Sequence, residues 1–168
     1  MKRRTFLNRA LHTSVALVAA GALAGCGFQL RGQGRNLAGL DSLALDAPPG
    51  PLADAVRQAL EGAGVAVHAQ APWRLNLGAE QLDEINLTAN NAGSRTVELQ
   101  LGVPFSVQRQ RDDAYRIERQ TLRVSTTYEA GTSDLLARDD RREQAVQSLR
   151  QEAARRLIDR LQSLADAP

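Results

Sequence analysis

The sequence has little of the chemistry that most catalytic and metal sites require. Its 168 residues include one cysteine, Cys26, and two histidines, of which only His68 lies beyond residue 25. A single cysteine excludes an internal disulfide, and one histidine argues against a zinc site. No glycine-rich phosphate loop stands between a strand and a helix, and His68 has no convincing serine and acid partners in the pattern. The absences argue against most enzyme classes and predict no cofactor and no metal.

The chain has no net positive charge outside its first 25 residues. The chain has 21 Lys and Arg residues against 19 Asp and Glu residues, for a net charge of +2. Four of the basic residues precede residue 26 and none of the acidic ones does, which leaves 17 arginines against 19 acids and a charge of −2. The remaining balance gives no support for nucleic-acid binding.

The amino-terminal segment has the organisation of a secretory leader. A basic start precedes an apolar stretch over residues 15–23, which is too short to span a bilayer. Leu23-Ala24-Gly25-Cys26 resembles a bacterial lipobox, in which the chain is cleaved before the cysteine and the thiol receives a diacylglycerol. We therefore expect residues 1–25 to be removed, Cys26 to carry a covalent lipid, and residues 26–41 to form a tether.

The sequence specifies the export route and the final membrane less clearly than it specifies the leader itself. Arg3-Arg4 fits a twin-arginine signal, but a basic leader for general secretion explains it equally well. Gly27 follows the cysteine where Asp would be associated with retention in the inner membrane, so the outer membrane is permitted. A diacylated Cys26 would hold the chain at a membrane surface, because two acyl chains give stable attachment.

Residues 42–168 read as one α+β domain. Short strands near Leu43–Leu45 and Val65–Val67 flank a helix that begins at Pro51, and their order predicts a parallel pair. A strand from Trp73 continues to about Ala89 with a break near Gln81 and Leu82. A last helix over residues 139–164 carries an apolar stripe.

The strongest strand signal lies in the middle of this domain. Six apolar residues alternate strictly with polar ones: Val97, Leu99, Leu101, Val103, Phe105 and Val107. Such alternation predicts a sheet with one dry face, and Pro104 should sit at an edge or a bulge. A hairpin loop at 110–114 leads to a returning strand with Leu122, Val124 and Tyr128 on the same face. The prediction is a two-layer sandwich, with two helices packed on one face of a mixed, mainly antiparallel sheet of four to five strands.

Charged side chains give weaker signals. The acid pairs Asp83-Glu84, Asp112-Asp113 and Asp139-Asp140 lie at a strand break, a hairpin tip and a helix start, where solvation or capping explains them. Arginine forks can grip phosphate groups at two points. Arg95 follows a predicted turn, and Arg138 lies near the start of the last helix. Both are candidates for phosphate contact, although exposed arginines commonly only solvate a surface.

Several segments resemble the LptE family of lipopolysaccharide-assembly lipoproteins. The start of the mature chain, Cys26-Gly27-Phe28-Gln29-Leu30-Arg31-Gly32, is similar to that of the family, and so are the stretches around residues 51–65 and 135–161. The resemblance implies an outer-membrane, periplasm-facing lipoprotein without catalytic turnover. Such a protein plugs the β-barrel protein LptD in a one-to-one complex, helps that barrel to assemble, and binds lipopolysaccharide for delivery to the outer leaflet. It also makes Arg95 and Arg138 the candidate lipopolysaccharide contacts.

Two other functions remain open at this stage. A free-standing, periplasm-facing ligand-binding lipoprotein would have a concave apolar pocket. A secreted hydrolase would need an acid and a hydroxyl within reach of His68. The polar face of the central strand (Thr96, Glu98, Gln100, Ser106 and Gln108) suits the polar lumen of a large barrel, but exposure to water would explain it as well.

Overall fold

A computed structural model describes residue 37 and residues 40–87, 94–131 and 135–165. The cleavage site, Cys26 and residues 89–93 of the turn predicted at 89–94 lie outside these residues, whereas Ser94 begins β5. The described elements, in chain order, are β1 (Ser42–Asp46), α1 (Pro51–Gly62), β2 (Ala66–Val67), β3 (Trp73–Leu77), β4 (Gln81–Asn86), β5 (Ser94–Arg109), β6 (Tyr115–Gly131) and α2 (Leu135–Ala165).

The six described strands form one mixed sheet. Strand β1 pairs in parallel with both β2 and β3, whereas β5 pairs antiparallel with β3, β4 and β6. The order along one path is β2-β1-β3-β5-β4, and β6 lies on the other side of β5. The parallel β1–β2 pair and the mainly antiparallel sheet are as predicted. The expected count of four to five strands was one or two short of the six described, because the long strand after Trp73 divides into β3 and β4.

The alternation of apolar and polar residues along β5 determines which face of the sheet is buried, the dry face. All six of its predicted core residues, from Val97 to Val107, are at most 3% exposed. Leu122, Val124 and Tyr128 of β6 are their buried neighbours on the same face. Because successive side chains of a strand point to opposite faces, the even-numbered residues of β5 form the opposite, more polar face.

The break between β3 and β4 explains how a proline fits into the middle of β5. Both strands pair with the same side of β5, and residues 78–80 cross opposite only Val103 and Pro104. The Gly78 N–H donates to the Pro104 carbonyl at 2.8 Å. Pro104 has no N–H to donate. The irregular segment 78–80 therefore lies at the point where a regular strand would find no hydrogen-bond donor on β5. The prediction of a bulge or break here is confirmed.

Both helices cover the dry face. Pro51 is the first residue of α1, whose buried side chains are Leu52, Ala53, Val56 and Leu60. Helix α2 packs against α1, β5 and β6. Its predicted apolar stripe is buried over the described side chains: Val146, Leu149, Ala153, Leu157, Ile158 and Leu161. Leu37, from the expected tether, is also buried in this core.

The predicted start of α2 was wrong by one turn. The helix begins at Leu135 rather than Asp139, so its first turn contains no acidic residue. Leu135 and Leu136 are 69% and 79% exposed, and their positions therefore carry no burial signal. Leu, Ala and Arg nevertheless favour helix strongly, which explains why the helix extends in front of its buried stripe.

Candidate functional site

The two candidate arginines lie at one end of the sandwich. Arg95 is the second residue of β5 and pairs in register with Ala130 near the end of β6. Arg138 lies in the first turn of α2, which follows β6 in the chain. Both side chains are exposed, and neither makes an ion pair with a described carboxylate. This end of the sheet therefore presents two cations to solvent.

Two neighbouring arginines of α2 instead have structural partners. The Arg142 side chain donates to Glu84 of β4, and this hydrogen bond raises the pKa of the guanidinium, against an opposing effect of burial. Arg141 donates from Nη1 to the Glu129 carbonyl of β6 at 3.3 Å. Arg141 and Arg142 thus hold the helix to the sheet, whereas Arg138, one turn earlier, faces solvent.

Apolar side chains are exposed at the same end. Leu135 and Leu136 begin α2, while Ile85 and Leu87, at the end of β4, are 43% and 52% exposed. In the pairing of β4 with β5, Ile85 lies opposite Glu98 and therefore on the polar face. The sequence alternation of β4 did not reveal this orientation. The end with Arg95 and Arg138, which we call the cationic end, thus combines two exposed guanidinium groups, next to the exposed carboxylates of Asp139 and Asp140, with apolar surface.

The polar face of the sheet is organised by hydrogen bonds across strands. Asn76 Nδ2 donates to Ser106 Oγ at 3.2 Å and to Gln108 Oε1 at 2.8 Å. Arg74 Nη2 donates to Asp113 Oδ1 at 2.7 Å. Ser106 is 7% exposed, so the hydroxyl would be costly to bury without its partner. This face is therefore pre-ordered, more so than simple exposure to water would require.

A second ion pair was missed by sequence reasoning. Arg150 of α2 forms a two-point contact with Glu80, with Nη2 to Oε1 at 2.7 Å and Nε to Oε2 at 3.1 Å. The hydrogen bond to Glu80 raises the pKa of Arg150, and burial opposes the increase. With the Arg142–Glu84 pair, it fastens α2 to the segment that carries β4. The partners are 70 and 58 residues apart, and no local pattern signals them.

Three concavities of the described surface bear on ligand binding. One of about 230 Å³ lies between the 47–53 segment and residues 77–80. Another of about 290 Å³ lies on the polar face around Asn76, Ser106 and Arg119. Ligand pockets usually measure roughly 300–1,000 Å³ and are mostly apolar. A third cleft, of about 440 Å³, is lined mainly by polar and charged residues, among them Arg123, Arg156, Asp159 and Arg160. None of these three concavities is both of that size and mostly apolar, so they do not favour a free-standing ligand-binding lipoprotein.

Other chemistry finds little support in the described residues. His68 is exposed, and its side chain makes no hydrogen bond with a described acid or hydroxyl. Residues 40–87, 94–131 and 135–165 contain no group of three or more His, Cys, Asp or Glu residues able to hold a metal ion.

Neither described helix is long and apolar enough to cross a bilayer.

The sequence family agrees with this architecture. The family description "LptE: Lipopolysaccharide-assembly" matches residues 40–161, which span every strand and most of α2. This chain belongs to the LptE family. No curated protein sequence matches it significantly.

Solved structures that are similar to this chain include three bacterial lipoproteins. Rare lipoprotein B from Shewanella oneidensis has 23% identity and a TM-score of 0.62, covering 73% of this chain and 94% of that one. Lipoprotein B from Nitrosomonas europaea has 16% identity and a TM-score of 0.65, covering 84% and 94%. The minor lipoprotein from Acinetobacter baumannii has 16% identity and a TM-score of 0.62, covering 73% and 91%. At these identities the similarity shows the fold alone.

The family and the α+β sandwich predicted from the sequence are thereby confirmed. The structure places Arg95 and Arg138 at the same end of this LptE-family domain. Their contact with lipopolysaccharide stays a prediction. The lipid on Cys26 also stays a prediction, because Cys26 lies outside the described residues.

Proposed function

We propose that this LptE-family chain is a non-enzymatic outer-membrane lipoprotein. It is anchored through a diacylated Cys26 and faces the periplasm. In this proposal it plugs the LptD β-barrel in a one-to-one complex, helps that barrel to assemble, and binds lipopolysaccharide for delivery to the outer leaflet. The observation that carries the proposal is the family match over residues 40–161. No cofactor is required besides the covalent lipid.

The polar face of the sheet supports the role of a plug. A protein enclosed by a large barrel meets a polar, water-containing lumen rather than lipid. Thr96, Glu98, Gln100 and Gln108 are half-buried on this face, and Asn76 bridges to Ser106 and Gln108 across two strands. A rigid surface of hydrogen-bonding groups can match polar side chains of a barrel wall with little loss of conformational entropy.

The cationic end supports contact with lipopolysaccharide. This lipid carries phosphate groups next to acyl chains, so its recognition calls for positive charge beside apolar surface. Arg95 and Arg138 supply exposed guanidinium groups, and Leu135, Leu136 and Leu87 are exposed apolar side chains at the same end. Charge-assisted contacts of arginine with phosphate are among the stronger hydrogen bonds available.

Complex formation can be tested by isolating the full chain from its own membranes in mild detergent. We expect a large outer-membrane β-barrel protein to co-purify at a one-to-one ratio, and depletion of the chain to reduce surface lipopolysaccharide. Recovery of the chain alone, together with normal surface lipopolysaccharide after depletion, would contradict the proposal and favour a free-standing ligand-binding lipoprotein.

Lipopolysaccharide contact can be tested by photo-crosslinking. A photoreactive residue at position 95 or 138 should capture lipopolysaccharide in intact cells. The matched control is position 57, because Arg57 is also exposed but belongs to α1. Equal capture at 57, 95 and 138 would show that the cationic end has no special role, while leaving the partnership with the barrel intact.

A further inference from the structure

Strand β6 is a long open edge of the sheet. It pairs with β5 from Tyr115 to Gly131, and no described strand lies on its other side. Natural edge strands are commonly short or are blocked by proline or charged side chains, because unpaired backbone groups attract other strands. The 17 residues of β6 include no proline, and its charged residues, from Arg116 to Arg123 and at Glu129, leave residues 124–128 uncharged. The middle of this edge is therefore available for pairing.

The pairing of β4 with β5 shows which residues of β6 point outward. The Leu87 N–H donates to the Thr96 carbonyl, so the backbone groups of Thr96 face β4. In an antiparallel ladder, the N–H and C=O of one residue face the same neighbour, and the direction alternates along the strand. Glu129 lies opposite Thr96 and therefore directs its backbone groups away from β5. Thr127, Ser125 and Arg123 follow at alternate positions and do the same.

Helix α2 covers the ends of this outward-facing row. Arg141 Nη1 donates to the Glu129 carbonyl at 3.3 Å, and Arg156 Nη1 donates to the Arg123 carbonyl at 3.4 Å. Between them, the backbone groups of Ser125 and Thr127 have no partner among the described residues. Their side chains are small, so another backbone could approach closely. The middle of the edge is open, and its two ends are marked by arginines.

Charged side chains near Arg123, at one end of the open edge, favour an incoming strand of opposite charge. A surface cleft of about 440 Å³ there is lined by Thr121, Leu122, Arg123, Arg156, Asp159 and Arg160. Arg156 in this cleft is already paired with Glu152, whereas Arg123 is exposed and its side chain makes no ion pair with a described carboxylate. An incoming strand with carboxylates near this cleft would be attracted, whereas one with ammonium groups would be repelled.

We propose that β6 binds an extended acidic segment of another protein as an additional strand of the sheet. The backbone groups of Ser125 and Thr127 would form the central hydrogen bonds of the added ladder, and Arg123 would pair with a carboxylate of the incoming segment. Main-chain hydrogen bonds supply affinity in this mode of recognition, while side chains at alternate positions supply specificity. The proposal concerns an edge and not the polar face, so it goes beyond the plug function.

The test uses the full chain in detergent and two synthetic peptides. One alternates threonine with glutamate, and the other carries lysine in place of every glutamate. We expect the acidic peptide to slow hydrogen exchange at the Ser125 and Thr127 amides, and the basic peptide to leave it unchanged. Arg123→Glu should weaken binding of the acidic peptide by roughly tenfold, the effect of about 1.4 kcal/mol.

Two variants at the same position test whether the backbone N–H groups of the β6 edge are needed for peptide binding. Ser125→Pro removes an outward-facing N–H without removing a hydrogen bond to β5, whereas Ser125→Ala keeps that N–H. We expect the proline variant alone to lose peptide binding, with an unfolding midpoint near that of the alanine variant. If Ser125→Pro fails to fold, the exchange measurement on the unaltered chain still decides. Unprotected Ser125 and Thr127 amides with the acidic peptide, equal protection by both peptides, or protection caused only by self-association of the chain would each overturn the proposal.

Discussion

The contact between Arg150 and Glu80 should be a principal fastening of α2 to the edge of the sheet. The two side chains are 12% and 22% exposed, and Arg150 reaches both carboxylate oxygens of Glu80. Strand β4 otherwise has little burial, since only Leu82 of its six residues is half-buried and the rest are exposed. Replacing Arg150 by methionine would retain an apolar side chain but leave Glu80 without its counter-charge.

The expected cost lies between two measured classes of ion pair. Exposed pairs contribute about 0–1 kcal/mol, and removal of one partner from a fully buried pair costs about 3–5 kcal/mol. For a largely buried two-point pair, we expect Arg150→Met to lower the free energy of unfolding by about 2 kcal/mol. With a urea dependence of roughly 2 kcal/mol per molar, the unfolding midpoint would fall by about 1 M. Amides of β4 should also exchange faster, because their local stability depends on this contact.

Arg155→Met provides the matched control. Arg155 is on the same helix and pairs with Glu152, but their side chains are 64% and 36% exposed. We expect that change to cost about 0.5 kcal/mol or less. A double-mutant cycle of Arg150→Met with Glu80→Gln should give a coupling of about 1–2 kcal/mol. Equal losses for Arg150→Met and Arg155→Met, or no coupling with Glu80, would refute the assignment of a structural role to this pair.

Three further predictions concern packing and charge. A Cβ on Gly78 would lie 2.5 Å from Pro104 Cγ, so Gly78→Ala should cost about 1–3 kcal/mol in urea unfolding, and adding Pro104→Ala should restore part of the loss. Leu157→Ala, at a fully buried position, should cost about 2–5 kcal/mol, whereas Leu136→Ala should change the unfolding free energy by under about 0.5 kcal/mol. Hydrogen bonds from Arg155 and Arg156 lower the pKa of Glu152. The small stabilisation by Glu152 should therefore be present above about pH 4.3, its ordinary pKa, and be lost as pH falls through its lower folded pKa, so that Glu152→Gln and the unaltered chain converge in acid.

The arginines of α2 have several different structural roles, although the sequence presents them simply as a high arginine content. Arg142 and Arg150 pair with carboxylates of residues 80–84, and Arg141 and Arg156 donate to carbonyls of β6. Arg138 remains exposed at the cationic end. Phosphate recognition was one interpretation of arginine in this chain, but these four side chains of the helix contact β6 and the segment that carries β4, on either side of β5.

The sequence alone determined the class of the fold and the composition of its core. Strict alternation in β5 and the stripe of α2 each require only the period of one element, and both were predicted residue by residue. The start of α2 was misplaced because Leu135 and Leu136 lie on no buried face. The lipobox and the family resemblance are likewise local features of the sequence.

Tertiary structure alone decided the register between strands and the contacts across the sandwich. Whether Ile85 lies on the dry or the polar face depends on its pairing with Glu98, and a shift of one residue would reverse it. The pairs Arg150–Glu80 and Arg142–Glu84 join residues far apart in sequence, and the open edge of β6 exists only because no described strand follows it in the sheet. Periodicity places a side chain on a face of its own element, but only the packed chain determines which other element meets that face.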